Sequence, residues 1–133
     1  MVPQDDAADI LALAARLVAA IEARDGEAVR ACYHPQARIW HNTDDRLQSV
    51  DENVRSVGWI HKVLAGLRYD IVRRVALPDG FLQQHVLRGR LASGEQFAMP
   101  ACVICRVEGG AIVSLDEYLD SAQAARLRAA RPG

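Results

Sequence analysis

The sequence predicts an α+β domain in which three N-terminal helices pack on the concave face of a strongly bent, mostly antiparallel sheet. The main observation is a change of period. Apolar residues recur at helical spacing up to about residue 67, and then alternate with polar residues to about residue 119. Half of the 133 residues are apolar, which is enough for one core but leaves little for a second. We therefore expect residues 1–133 to form a single domain.

The helices are predicted from their apolar stripes and their end signals. The first spans residues 6 to 24, begins at a capping aspartate and ends in "RDG". A short second helix, "EAVRACY", stops before a proline, because the residue that precedes proline disfavours helical geometry. The third runs from about residue 51 to residue 67, and Ser49 with Glu52 fits a capping box at its start. A last helix, "SAQAARLRAA", ends the chain.

The strands are predicted from alternation. One strand contains "ARIWH" and is followed by a polar loop, "NTDDRLQS". Four more follow the third helix and are separated by the turn sequences "PDG", "SGE" and "EGG": "RYDIVRRVAL", "GFLQQHVLRGRL", "QFAMPACVICRV" and "AIVSLDEYL". These four are expected to form successive antiparallel hairpins.

Charge and cysteine content disfavour several functional classes. The net charge is −1 and the charged residues are scattered, so neither nucleic acid nor a membrane surface is an expected partner. No apolar run is long enough to span a bilayer and no export signal is visible, so we expect a cytoplasmic protein. Cys102 and Cys105 have CxxC spacing, but on a strand this separation points them to opposite faces, so no metal site is expected.

Strand alternation also identifies the candidate catalytic residues. In "AIVSLDEYL", Glu117 shares a face with aliphatic residues, and a buried carboxylate costs several kcal/mol unless it is paired, hydrogen-bonded or protonated. In "GFLQQHVLRGRL", Gln83 and His85 fall on the same face as Phe81 and Leu87. A hydrated Glu117 at the mouth of the sheet and a structural His85 are the alternatives. Two polar residues on one apolar face favour a cavity between them.

Several segments carry a resemblance to a known superfamily. The segments "RDGEAVRACYHPQARI", "HVLRG" and "IVSLDEYLD", in the order helix, strand, helix, hairpins and helix, resemble the nuclear transport factor 2-like superfamily. Within it the chain is similar to the SnoaL-like polyketide cyclases, the ketosteroid isomerases and the limonene-epoxide hydrolases. The resemblance implies a single SnoaL-like domain folded as a cone-shaped α+β barrel, often dimeric, that needs no cofactor.

The resemblance also implies roles for the residues that end the first strand. The limonene-epoxide hydrolases hold a nucleophilic water with a Tyr-x-Asn pair, and Trp40 and Asn42 match that pattern with Trp in the Tyr position. Trp40 and Asn42 would then face the cavity and His41 would face outward. An amphipathic reading of the strand instead places His41 inward with Ile39, and that alternative stays open.

Departures from these relatives decide which chemistry is expected. The epoxide hydrolases use an Asp-Arg-Asp triad, whereas Gln83, His85 and Glu117 stand at the corresponding positions here. An inward His with an acidic residue is the pair that the polyketide cyclases use. We therefore expect a cofactor-independent acid/base enzyme that acts on a small, largely apolar molecule, with His85 and Glu117 catalytic. The alternative is a non-catalytic ligand-binding or dimerisation domain.

The remaining expectations concern the cavity wall and the other face of the sheet. Trp59 and His61 on the third helix, with Met99 on a strand, are expected to join Trp40, Asn42 and Gln83 in binding the substrate. Arg73 is a candidate inward partner for Glu117, or else an edge or dimer residue. The outer face is expected to form a homodimer interface; its residues are Val72, Arg74, Arg88, Arg90, Cys102, Ile104 and Arg106.

Overall fold

A computed structural model describes residues 5–133, and within that range the chain forms four helices and six strands. In chain order they are α1 Ala7–Glu22, α2 Gly26–Ala31, β1 Tyr33–His41, β2 Leu47–Gln48, α3 Val50–Val63, β3 Ala65–Leu77, β4 Gly80–Arg90, β5 Gln96–Glu108, β6 Ala111–Leu119 and α4 Ser121–Ala129. No helix in this range combines the length and the apolar character needed to cross a membrane.

The six strands form one mixed sheet in the order β2-β1-β6-β5-β4-β3. β1 and β6 pair in parallel, and the other neighbours pair antiparallel. The sheet is open, with β2 and β3 at its edges. Helix α1 packs on β3 and β4, and α3 packs on β1, β2 and β3, so the helices cover one face of the sheet. The predicted α+β architecture is confirmed.

Most predicted elements occur, but several boundaries differ. The second helix ends at Ala31, and Tyr33, predicted to be helical, begins β1, which also contains Pro35. The capping box of Ser49 and Glu52 begins α3 as predicted. The helix ends at Val63 instead of near residue 67, because Leu64 adopts extended geometry and β3 starts at Ala65. The apolar residues in "VLAGL" fit both a helical stripe and an alternating strand, so the spacing alone does not locate the change. The loop expected after the first strand contains β2.

A β-bulge near Val72 changes which side chains of β3 face the helices. Ile71 pairs with His85 and Arg73 pairs with Gln84, so Val72 is an extra residue without a partner on β4. The bulge reverses the alternation, and Arg73 is therefore exposed and faces away from Glu117. Of the alternatives for Arg73, the edge position is observed, because β3 is an edge strand and Arg73 does not face Glu117. The expectation that Arg74 lies on the outer face is wrong because of the bulge.

The predicted faces of β4 and of the cysteine-containing strand agree with the structure. Gln83 and His85 are the buried polar residues of the core among residues 5–133, and Phe81 and Leu87 are buried beside them. On β5 Cys105 is buried, whereas Cys102 lies on the opposite face and is partly exposed. Both thiols are free.

Candidate active site

A cavity of about 350 Å³ lies between the helices and the inner face of the sheet. Its wall is mainly apolar and comes from α1, α3, α4 and the sheet, with Leu17, Ile21, Trp59, Phe81, Met99 and Leu127 among its residues. Polar side chains from β1, β2, β3, β4 and β6 also contribute, together with the loop after β1 and the first turns of α3. The volume suits a small organic ligand.

Three titratable side chains meet at the polar part of the cavity. Oε1 of Glu117 lies 3.1 Å from Nε2 of His41, and Oε2 of Glu117 lies 3.6 Å from Nε2 of His85. The contact with His41 has hydrogen-bond length, whereas the contact with His85 is longer than a hydrogen bond. Glu117 and His41 are direct partners in the parallel pairing of β6 with β1, which places their side chains on one face.

The two histidines set the charge of Glu117. Burial by itself would raise its pKa, but the contacts of the carboxylate with the His41 and His85 imidazoles outweigh burial and lower the pKa from 4.5 to about 2. The effect on His41 is reciprocal. Burial would lower the pKa of His41, but the hydrogen bond and charge of Glu117, with the charge of Asp44, raise it above 6.5. The carboxylate is therefore ionised and paired in the ligand-free cavity.

Two tyrosines complete the polar part of the cavity. Tyr33 and Tyr69 both contribute to its wall, and the ring of Tyr69 is tilted against that of His85 with 4.7 Å between centroids. Burial, followed by the negative charge of Glu117, raises the pKa of Tyr69. Tyr69 therefore keeps its proton and can donate a hydrogen bond. Neither tyrosine is among the site residues expected from the sequence.

Of the two orientations left open for the first strand, the one implied by the resemblance is wrong and the amphipathic one is observed. His41 faces the cavity, and neither Trp40 nor Asn42 contributes to its wall. The Trp40 indole donates a hydrogen bond to Asp45 (2.7 Å) and packs edge-on against Tyr118, which is exposed on the other face. Because Ile39 on the same strand is fully buried, alternation turns His41 inward and Trp40 outward.

Asn42 has a structural position at the end of β1. Its amide nitrogen donates to the carbonyl oxygen of Leu119 at 3.3 Å, and its amide oxygen accepts from the backbone nitrogen of Leu119 at 2.9 Å. These bonds hold the last residue of β6 beside β1. The substrate-binding position expected for Asn42 is therefore not observed.

The other expected ligand-binding residues divide into two groups. Gln83, Trp59 and Met99 line the cavity as expected. His61 does not, because its Nε2 lies 2.6 Å from the carbonyl oxygen of Ile21 and connects α3 to the last turn of α1. The helical stripe correctly predicted that His61 faces the core side. Its ring nitrogen, however, contacts the Ile21 carbonyl oxygen instead of the cavity.

One polar atom of the cavity wall lacks a partner. Oε1 of Gln48 is buried and has no hydrogen-bond partner among the described residues. Gln48 lies on β2 and contributes to the cavity wall. An unpaired buried carbonyl oxygen costs roughly 1–3 kcal/mol, so this atom can accept a hydrogen bond from a ligand with favourable energy. Within residues 5–133 no group of three or more histidine, cysteine or carboxylate side chains is arranged to hold a metal ion.

Comparisons with known proteins agree with this architecture. The sequence profile of the SnoaL-like domain matches residues 14–115. A candidate SnoaL-like polyketide cyclase from Jannaschia sp. CCS1 superposes with a TM-score of 0.78 at 14% identity, over 98% of this chain and 100% of that chain. A limonene-epoxide-hydrolase-like epoxide hydrolase from M. tuberculosis gives 0.76 at 13% identity, over 92% and 91%.

A third similar structure was solved with a bound ligand. It is a hypothetical protein of ketosteroid isomerase-like fold from Catenulispora acidiphila DSM 44928 in complex with trimethylamine. Its TM-score is 0.71 at 14% identity, over 80% of this chain and 83% of that chain. A comparison with curated proteins gave no match. At these identities the solved structures establish the fold, and the resemblance noted in the sequence is confirmed.

Proposed function

This chain belongs to the SnoaL-like domain family, and on that premise we propose that it is a cofactor-independent enzyme that acts by acid/base catalysis on a small, largely apolar organic molecule. The observation that carries the proposal is the Glu117 carboxylate, held between His41 and His85 in the wall of a mainly apolar cavity. The reaction class is isomerisation, aldol-type cyclisation or addition of water, because each needs a proton to be removed at one atom and an oxygen to be polarised at another.

Glu117 and His41 would act together as the base. A carboxylate with a pKa near 2 holds a proton weakly, so Glu117 alone is a poor base near neutral pH. Neutral His41 corrects this when its proton is on Nδ1, since Nε2 then has a free lone pair and a proton removed from substrate or water by Glu117 can pass to it across 3.1 Å. The product of this transfer is the charged pair, in which the Nε2–H of His41 donates to the ionised carboxylate. The two groups titrate as a pair, and the imidazole stores the proton until it is returned to the product.

His85 would polarise the substrate. Its Nε2 points towards Glu117 at 3.6 Å, a distance that leaves the ring nitrogen free to contact a ligand atom. A carbonyl, epoxide or hydroxyl oxygen is the group that an imidazole N–H recognises. Tyr69 lies against the same ring and offers a second donor on this side of the cavity.

The cavity wall suggests the rest of the ligand. The aliphatic surface of α1 and the side chains of Trp59 and Met99 suit a hydrocarbon body, and the 350 Å³ volume limits its size. The unpaired oxygen of Gln48 favours a hydroxyl or amine group elsewhere on the ligand. The proposed substrate is thus an apolar molecule with an acceptor oxygen near His85 and a donor group near Gln48.

Deuterium exchange tests the proposal without knowledge of the product. Small alicyclic and aromatic ketones are incubated with the protein in deuterated water, and exchange of the protons next to the carbonyl is followed by NMR. We expect Glu117→Gln to slow exchange by about 10²-fold or more while the ligand still binds. Asp116→Asn is the matched control, because Asp116 is exposed on the opposite face of the same strand.

A non-catalytic ligand-binding domain is the second candidate. It is favoured by the short His41–Glu117 contact, which satisfies the carboxylate without any ligand. Under this alternative the ketones bind, but exchange shows no dependence on Glu117. An epoxide panel extends the same comparison to the addition of water, with diol formation as the readout.

We further propose that the protein is a cytoplasmic homodimer formed through the outer face of the sheet. The three free cysteines suit a reducing compartment. Tyr118, Ile104 and Val72 are exposed on that face, and Trp40 packs against Tyr118 there. Exposed aromatic and aliphatic side chains beside Arg106 match the composition of protein interfaces better than that of free surface.

A further inference from the structure

The buried end of His85 contacts a chain of two side chains that leads out of the cavity. Nδ1 of His85 lies 3.0 Å from Nε2 of Gln83, and Oε1 of Gln83 accepts a hydrogen bond from Nε of Arg74 at 2.9 Å. His85 and Gln83 are 2% and 3% exposed, so water does not replace these contacts. The second nitrogen of the His85 ring is the one that faces Glu117.

The β-bulge places Arg74 in this chain. With Val72 left unpaired, Arg74 becomes the direct partner of Gln83 on β4 and lies on the same face of the sheet. Within the described part of the chain no carboxylate lies within 4 Å of the Arg74 guanidinium. Arg74 is therefore not explained as half of an ion pair, and its bond to a neutral amide needs another reason.

Donor and acceptor chemistry supplies that reason. A guanidinium can only donate, so the Gln83 group that faces Arg74 must be the amide oxygen. The amide nitrogen of Gln83 then faces Nδ1 of His85 and donates to it. A ring nitrogen that accepts a hydrogen bond carries no proton, so the proton of neutral His85 lies on Nε2.

We propose that Arg74 is a positioning residue that fixes, through Gln83, the tautomer of His85 in which Nε2 carries the proton. With Gln83 reversed, its oxygen would accept a hydrogen bond from a protonated Nδ1. The unprotonated Nε2 would then face the Glu117 carboxylate, which places two acceptors 3.6 Å apart. His85 would then offer no donor to a ligand oxygen. The tautomer does not depend on the proposed function. Only the catalytic use of the tautomer rests on the proposed function.

NMR of protein labelled with ¹⁵N in histidine tests the tautomer without any substrate. In the wild-type protein we expect a pyridine-type signal for Nδ1 of His85 and a pyrrole-type signal for Nε2, assigned by their loss in His85→Gln. In Arg74→Met we expect loss of this single pattern, as the amide of Gln83 is free to turn. Arg74→Lys keeps a donor and should restore it. Arg73→Met is the control, because Arg73 is exposed and pairs opposite Gln84.

A second variant reverses the tautomer. Gln83→Glu keeps an acceptor for Arg74 but can only accept from His85, so we expect the proton on Nδ1 and a pyrrole-type signal there. The proposal is overturned if wild-type Nδ1 carries a proton, or if Arg74→Met leaves the His85 signals unchanged. A bond that only ties β3 to β4 would lower the unfolding temperature of Arg74→Met without moving the tautomer, and that result also overturns the proposal.

Discussion

His41 and Glu117 are direct partners across the parallel pair of β1 and β6, and Nε2 of His41 lies 3.1 Å from Oε1 of Glu117. The pairing brings together two residues that lie 76 positions apart in the sequence. Each group stabilises the charged form of the other, so the pKa of Glu117 is lowered and that of His41 is raised. The charge of the cavity therefore depends on both groups at once.

The first prediction concerns stability as a function of pH. Glu117 has its pKa lowered from 4.5 to about 2, so its contribution is complete above pH 4.5 and disappears as pH falls towards 2. The pKa of His41 is raised above 6.5, so its contribution is complete below pH 6.5 and disappears as pH rises through the raised value. The free energy of unfolding should be greatest between these limits. The Glu117 contribution is at most roughly 3 kcal/mol.

Urea denaturation across the pH range measures this profile. The wild-type curve is compared with that of Glu117→Gln, which removes the charge and should flatten the dependence on both sides. A Glu117→Gln profile as steep as that of the wild type would show that other groups determine the pH dependence. Asp116→Asn, on the same strand but exposed, should keep the wild-type shape.

The fold and one half of the site were predictable because they depend on regular alternation. On β4, and on β6 from Ser114 onward, each residue takes the face opposite its neighbours, so Gln83, His85 and Glu117 were placed correctly from spacing alone. On β1, alternation from the buried Ile39 predicts the inward position of His41, whereas the motif comparison favoured Trp40 and Asn42.

The rest of the site depends on features that spacing does not encode. The bulge at Val72 is one extra residue inside a long alternating run, and no glycine or proline marks it. Arg74 was therefore placed on the wrong face. The parallel pairing of β1 with β6 joins distant segments, so the contact of His41 with Glu117 cannot be read from either strand by itself.

The second prediction concerns the pH dependence of catalysis. If a proton passes from Glu117 to neutral His41, the deuterium exchange rate should rise with pH through the raised pKa of His41. His41→Gln keeps a hydrogen-bond donor for Glu117 but cannot accept the proton. We expect it to lower the rate on the order of 10²-fold and to remove this limb of the profile. His34→Gln, an exposed histidine on the same strand, is the control.

An unchanged limb in His41→Gln would assign the titration to another group. Glu117 itself should titrate at higher pH in this variant, because burial, which raises its pKa, is then opposed by His85 and a neutral amide and no longer by the charge of His41. A ¹³C-labelled carboxylate followed by NMR reports that change directly. These measurements separate the role of the pair from that of each member.

The third prediction assigns Asn42 to stability. Asn42→Ala removes both side-chain hydrogen bonds to the backbone of Leu119, and since they are exposed to solvent we expect a loss of about 1 kcal/mol in unfolding free energy. The exchange rate per folded molecule should change little, because Asn42 does not contribute to the cavity wall. Gln84→Ala, an exposed amide on β4, is the control. A large loss of exchange rate in Asn42→Ala, without a change in unfolding free energy, would contradict this assignment and indicate that Asn42 contacts the substrate.

The last prediction tests the proposed homodimer. Tyr118 and Ile104 are 48% and 39% exposed on the outer face, and they lie on neighbouring strands, so one added charge at each would be buried without a partner in a two-fold interface. We expect the wild-type protein to sediment as a dimer at micromolar concentration and the double variant Tyr118→Arg, Ile104→Arg to sediment as a monomer. The cavity lies on the other face of the sheet, so the double variant should still bind ligands. Ala12→Arg, on an exposed position of α1, is the control and should remain dimeric. A monomeric wild-type protein, or a double variant that stays dimeric, would contradict an interface on this face.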